Sequence, residues 1–301
     1  MAVRDITDWL PIEYDPNLVQ RQPQRSVVEA LGAQKVMGSN TMEGPRLLGA
    51  DVNGGSQLVE DTNDGSKVTM YSYQFNGKQT LDEADTEDAY VDAIDGFNFA
   101  WLNEFRVSYD NACLGVTGDR SAVATDFRPY KSLIRTLRTA DADAGYDADA
   151  NIISGAATYD NLSNVLGLLE DSDFGDPSQL IVIAHRGLRN SLRKIKDTAG
   201  NPIFQLAGSN IDDETLFGLP IAWTAGAVES TSFKTRSTAN PKLLFVVNRN
   251  ALVHGKRVEP QARFIPAGIN TDALEHTLQY RARKGFVVTV PQAAAALRVT
   301  S

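Results

Sequence analysis

A single stripe of apolar side chains constrains this chain more than any other feature. Tyr90, Ile94, Phe97, Trp101, Phe105, Tyr109, Ala112 and Val116 recur at steps of three and four, the repeat of one helix face. The spacing predicts a helix from Asp85 to about Val116. Asp85, Glu87 and Asp88 stand at the end where the helix dipole favours carboxylates, and Gly115 and Gly118 supply the stop. About 31 residues at ~1.5 Å each make a rod of roughly 46 Å. That is well beyond the average globular helix, and a rod of this length serves as a spine.

Upstream, Arg46 to Phe75 reads as a long hairpin. Thr69, Tyr71, Tyr73 and Phe75 alternate with Val68, Met70, Ser72 and Gln74, so the aromatic residues share one face. Asp64-Gly65 suits the positive φ of a tight turn. An isolated hairpin is marginal in water. Its aromatic face therefore needs a cover, and a sister subunit is the expected one. Residues 1–45 carry Pro11, Pro16, Pro23 and Pro45, which break regular elements, and scattered apolar groups such as Trp9. They read as an arm that docks elsewhere, with one short helix opened by the capping box Ser26-Val27-Val28-Glu29.

Residues 128–245 read as a compact α/β region. Helices are predicted over Tyr130 to Leu137, Tyr159 to Leu169 and Leu188 to Lys196, and strands over 180–184, 221–223 and 243–247. Val253 to Phe264 and Tyr280 to Val290 read as antiparallel strands, with a turn or short helix over Thr271 to His276 between them.

Composition narrows the function classes. The 301 residues carry a formal net charge of −9, opposite to that of a dedicated nucleic-acid binder. One cysteine, Cys113, excludes an internal disulfide framework and reads as a small buried hydrophobe. No apolar run is long enough to cross a membrane, and the N-terminus lacks a secretory signal layout. No phosphate-binding glycine loop and no His-Glu-x-x-His occurs. His185 ends a buried strand without a serine or cysteine motif beside it, and a local hydrogen bond is the favoured reading. The run Asp141, Asp143, Asp147 and Asp149 lacks the twelfth-position glutamate of a calcium loop, where Ile152 stands, and reads as a solvated loop. No catalytic residue, cofactor or metal site is expected.

A basic cluster, Arg186, Arg189, Arg193, Lys194 and Lys196, leaves three readings open. It is a nucleic-acid contact, a solvated face, or a seam in which Arg189 and Arg193 meet the 141–149 loop of a neighbouring subunit. The absence of interleaved aromatic residues weakens the first.

Two Gly-x-Pro segments complete the pattern. Leu192 to Ile203 holds Lys196-Asp197-Thr198-Ala199-Gly200-Asn201-Pro202-Ile203, and Leu216-Phe217-Gly218-Leu219-Pro220-Ile221 follows. With the closing Tyr280 to Ala293, their order resembles the major capsid proteins of tailed bacteriophages, the Hong Kong 97-type family. The resemblance implies an α+β fold with an N-terminal arm (1–45), an extended E-loop hairpin (46–80), a P-domain with its spine helix (81–127), an A-domain (128–247) and returning P-domain strands (248–301). It implies a shell of pentamers and hexamers, closed into an icosahedral head around double-stranded DNA. The expected partners are copies of the chain, a separate scaffolding protein, a portal and a decoration protein, with assembly in the bacterial cytoplasm and no membrane. Trp9, Lys67, Tyr71, Tyr73, Phe75, Arg189 and Arg193 are the expected interface residues.

Some members of that family join subunits by an isopeptide bond between an E-loop lysine and a P-domain asparagine. Lys67 or Lys78 suits the first role. The stretch Glu275-His276-Thr277-Leu278 offers no asparagine, and Arg283-Lys284 stands where the assisting glutamate belongs. A non-covalent shell is expected. The rivals are an encapsulin-type nanocompartment, disfavoured by the proline-broken arm, and a cytosolic α/β enzyme using His185.

Overall fold

The structure, a computed structural model, describes residues 25–48, 65–83, 93–196, 200, 204–206, 214–266 and 275–300. Trp9 and the first Gly-x-Pro turn beyond Gly200 lie outside them. Two sheets flank one long helix. The first has five strands in the order β1-β10-β11-β3-β2. These are β1 (Ala33–Val36), β2 (Thr41–Arg46), β3 (Ser66–Asp82), β10 (Leu252–Ile265) and β11 (Glu275–Val288). The second has seven, β4-β12-β9-β5-β8-β7-β6. They span β4 (Ile152–Gly155), β5 (Leu180–His185), β6 (Phe204–Leu206), β7 (Glu214–Leu216), β8 (Leu219–Thr224), β9 (Lys242–Asn248) and β12 (Ala294–Val299).

The long helix runs over Ala93–Leu114 among the described residues. Its stripe works as the spacing requires, with Phe105, Tyr109, Ala112 and Val116 buried. Gly115 stops it for a reason other than a left-handed cap. A Cβ there would lie 2.0 Å from the Val228 carbonyl oxygen, so only glycine lets the helix end press on that loop. Asn111 Nδ2 fixes the same loop by donating to the carbonyls of Gly226 (2.8 Å) and Val228 (2.7 Å).

The second strand of the expected hairpin is present as β3; the stretch expected to carry its first strand and turn, 49–64, lies outside the described residues, and the partner of β3 comes instead from the end of the segment read as the arm. β2 pairs with the first part of β3, from Thr41 opposite Tyr71 to Arg46 opposite Ser66. The rest of β3 pairs with β11, from Phe286 opposite Tyr71 to Glu275 opposite Asp82. The predicted antiparallel pair β10–β11 is present too, Leu252 facing Val288 and Ile265 facing Thr277. Glu275 and His276, expected in a turn, already belong to β11; residues 267–274 lie outside the described set.

Continuous apolar runs explain the centre of the second sheet. β5 is buried at every residue and is flanked by β8 and β9, as a central strand must be. The turn Phe217-Gly218 has φ of 51° and 81°, the double positive φ of a tight hairpin, and it delivers Pro220 into β8. The helix Tyr159–Glu170 buries Leu162, Val165 and Leu169 and begins where the Thr158 hydroxyl accepts from Asn161 N–H. The predicted helix over 188–196 is shorter, a turn over Arg186–Leu188 followed by Arg189–Arg193. β12 departs from the expectation that 248–301 returns whole to the spine. It runs between β4 and β9 in the seven-stranded sheet, so the chain's end ties the two sheets together.

Candidate assembly surfaces

The aromatic face of β3 settles first. Phe75 is 6% exposed and meets Phe105 edge-on at 5.3 Å and Tyr109 at 6.0 Å, both on the long helix. Phe233 closes over it at 5.5 Å, and Tyr73 adds an edge contact at 5.1 Å. Across the sheet, Trp101 stacks on Tyr280 at 4.9 Å and 11°. That approach depends on Gly77, where a Cβ would come within 2.8 Å of the Trp101 ring nitrogen. The cover expected from a sister subunit is therefore supplied by the chain itself: Phe75 is core, and the expectation is corrected for it. The reason is geometric. β11 holds β3 flat against the spine, so the aromatic side faces inward. Tyr73 is half-buried and its hydroxyl donates to the Ala124 carbonyl at 3.3 Å. Tyr71 is half-buried under the Arg120 guanidinium, 3.8 Å from the ring centre.

Arg189 and Arg193, expected at an inter-subunit seam, have a partner in their own chain. Both side chains turn to Glu214, Arg189 through Nε at 2.8 Å and Arg193 through Nη2 at 3.4 Å. Trp223 Nε1 donates to the same carboxylate at 2.5 Å. Glu214 is 2% exposed, and a buried carboxylate must be paired. The acidic loop is engaged too, since Arg46 donates to Asp141 at 2.8 and 3.1 Å. Arg46 thus locks the hairpin root to the start of the α/β region. Lys67 remains on the surface, 3.2 Å from Glu43 across the hairpin. Among the described residues, no group of three or more His, Cys, Asp or Glu side chains converges as a metal site.

Two buried polar nodes were not anticipated. Asp110 is fully buried beside Tyr109. It accepts from the Ser26 hydroxyl at 2.6 Å, from Val27 and Val28 N–H at 3.0 and 3.3 Å, and from the Thr224 hydroxyl at 2.7 Å. One carboxylate thereby caps the helix Val27–Leu31 and joins it to the spine and to β8. Burial pushes its pKa up to about 6, against these hydrogen bonds that pull it down. The second node is Lys284, 3% exposed, with Nζ 2.9 Å from Glu29 and 2.6 Å from Glu259. The available signal was the polar pair Asp110-Asn111, set beside Tyr109 in an apolar stripe.

His185 is engaged locally. Its Nδ1 accepts from Gly187 N–H at 3.0 Å, and burial, with Lys242 and Arg186 nearby, lowers its pKa to about 4. Cys113 is buried, and burial raises its thiol pKa well above the ordinary value.

A spine helix, a five-stranded sheet built on the long strand β3 and a second α/β layer define a Hong Kong 97-type capsid fold. Solved structures agree. The chain superposes on a protein of Mycobacterium phage Ogopogo with a TM-score of 0.71 at 16% identity, covering 99% of this chain and 100% of the other. For Microbacterium phage Oxtober96 the values are 0.68 and 15%, with 98% of each chain covered. For the capsid of the native GTA particle computed with C5 symmetry they are 0.72 and 10%, with 100% of each covered. Among curated proteins none matches the sequence. The family model described as the phage capsid family matches residues 110–297, more than half of the chain. The chain belongs to that family and is a major capsid protein, a structural subunit that associates with its own copies in the virion shell.

Proposed function

We propose that identical copies of this chain form pentamers and hexamers that close into the icosahedral head of a tailed phage around double-stranded DNA. The contacts are non-covalent. Assembly proceeds in the bacterial host cytoplasm with a separate scaffolding protein, a portal and, on the finished head, a decoration protein. Of the arm (1–45) the residues ahead of Arg25 with Trp9, and of the E-loop (46–80) the stretch joining β2 to β3 with Lys67 and the exposed parts of Tyr71 and Tyr73, lie over neighbours, and closed symmetry lets weak repeated contacts add up. The observation that carries this reading is the family match over residues 110–297, continuous with a likeness of fold over the whole chain. The paired arginines, already committed to Glu214, are left out of the interface.

Sedimentation and electron microscopy of the purified protein test the reading. Closed shells of capsid size, DNA-filled when taken from phage-producing cells, are the expected result. A small shell carrying enzyme cargo would favour the nanocompartment, and a dimer-sized species from the same cells would end the proposal.

A further inference from the structure

The helix Val27–Leu31 and the strand β1 together make a flap at the margin of the five-stranded sheet. Among the described residues β1 is an outermost strand, paired with β10 alone, and three of its four residues are exposed. The helix is five residues long and buries two apolar side chains, Val27 and Val28. So little apolar burial places the flap at the low end of local stability. Its far end is pinned: Met37 is buried and lies over Gly255 and Gly285, positions where any Cβ would collide with its sulfur. An opening confined to Ser26–Val36 therefore pivots on an anchored residue.

Polar contacts do most of the holding, and they converge on two buried groups. Lys284 of β11 takes Glu29. Asp110 of the spine takes the Ser26 hydroxyl and the Val27 and Val28 N–H, with the Thr224 hydroxyl of β8 as a fourth donor. All four donors are neutral, and among the described residues no cation pairs with Asp110. The titratable groups on the surrounding elements do not supply one. Tyr109 and Cys113 on the spine, and Tyr130 beyond it, stay uncharged because burial raises each well above its ordinary pKa. Glu29 is matched by Lys284, which Glu259 of β10 also holds, and Lys256 pairs with Glu259. β8 and the loop after it present Thr224 and Gly226, neither of which titrates. His254 of β10 lies against Gly32, and burial lowers its pKa.

A carboxylate sealed among neutral donors is better accommodated with its proton on. Lifting the flap removes three of the four donors and lets water take their place. We propose that Asp110 is a proton-operated latch: the flap Ser26–Val36 stays closed on the spine while this carboxyl is protonated and opens more readily once it is ionised. The sign follows from linkage. With the flap closed the Asp110 pKa is about 6, against the ordinary 3.8 of a hydrated carboxyl. The proton's contribution to closure is fully present below about pH 4 and is lost as the pH rises through about 6. His254 acts in the opposite sense, because charging it as the pH falls loosens the closed flap. Closure is tightest in a mildly acidic window between the two. The latch is a property of the single subunit and stands apart from the shell reading. It decides whether residues 1–24, which continue from the flap, leave the subunit from a fixed point.

Hydrogen exchange of the full-length, unassembled subunit tests this, with rates corrected for the intrinsic pH dependence of amide chemistry. The amides of Val27 and Val28, bonded to Asp110, and of Ala30 and Gly32, bonded within the helix, are the reporters. Their protection should fall about tenfold between pH 5 and pH 7.5. They should also be less protected than the amides of β5, and low urea should barely accelerate them, the mark of an opening that exposes little surface. Thr224→Val removes a donor to the ionised carboxyl, so the midpoint of the loss should move to higher pH. Asp110→Asn should abolish the loss toward neutral pH and keep the loosening in acid that His254 causes. Equal protection of flap and β5 would show that no separate opening exists and would overturn the proposal. So would flat protection from pH 5 to pH 7.5, or a midpoint lowered or unmoved by Thr224→Val. Should Asp110→Asn fail to fold, the wild-type profile and Thr224→Val still decide.

Discussion

Asp110 shows how one side chain can join three elements at an energetic cost. Its pKa rises from the ordinary 3.8 to about 6 on folding, so the folded state binds a proton more tightly than the unfolded chain. The stability this contributes is fully present below about pH 4 and is lost as the pH rises through about 6. At neutral pH the buried charge costs about 3 kcal/mol relative to the protonated form. Urea unfolding of the unassembled subunit should therefore show Asp110→Asn without the gain that wild type makes between pH 7 and pH 4; parallel profiles would remove the assignment. Glu214 is held differently, by two guanidinium groups and an indole N–H. Glu214→Ala leaves Arg189, Arg193 and the Trp223 ring N–H without their shared acceptor. A loss of ~3 kcal/mol is expected in the same measurement, and a loss below ~0.5 kcal/mol would show the cluster to be solvated. Neither node could be read from spacing. Asp110 and Thr224 are 114 positions apart, and no local pattern links a helix carboxylate to a distant strand hydroxyl.

At the level of elements, legibility followed periodicity. The spine stripe, the alternating Val68 to Phe75 and the apolar run at β5 each announced their elements, because one face or both had to be buried. β12 was missed because Ala294-Ala295-Ala296 favours helix by local propensity; its two flanking strands impose the extended form. The strand β3 was recognised, but neither its partner β2 nor what covers it was, since alternation marks an apolar face and leaves its neighbours unstated. The cover is the long helix, and the consequence is measurable. Phe75→Ala should destabilise the isolated subunit by roughly 3–5 kcal/mol, seen as a lowered midpoint before any shell forms. If Phe75 were instead reserved for a sister chain, the subunit would unfold as wild type does and only assembly would suffer. Gly115 tests the spine's end in the same way. Gly115→Ala forces a methyl against the Val228 carbonyl oxygen at 2.0 Å, and backbone must move to admit it.

For the whole molecule, the question is what holds neighbouring subunits once the shell has closed. An isopeptide seam needs a lysine amine, a carboxamide to attack and a carboxylate to move the proton, brought together away from water. Lys67 is exposed and faces Glu43 across its own hairpin. Lys78 stands opposite Gln279 in the sheet. The start of β11, where the carboxamide belongs by resemblance, reads Glu275-His276-Thr277-Leu278, and the glutamate's place is taken by Arg283 and Lys284. Lys284 is itself held between Glu29 and Glu259, so it serves the subunit's own fold. On the non-covalent reading proposed above, strength comes from apolar burial across chains and from repeated charge pairs, both of which denaturant and detergent abolish. Mature shells boiled in detergent should run as one band at the chain's 32.7 kDa. Particles should also loosen as salt rises, because the pairs that replace the bond are screened over about 8–10 Å. A ladder of dimers, pentamers and hexamers on that gel would place a covalent bond where these residues supply no chemistry for one.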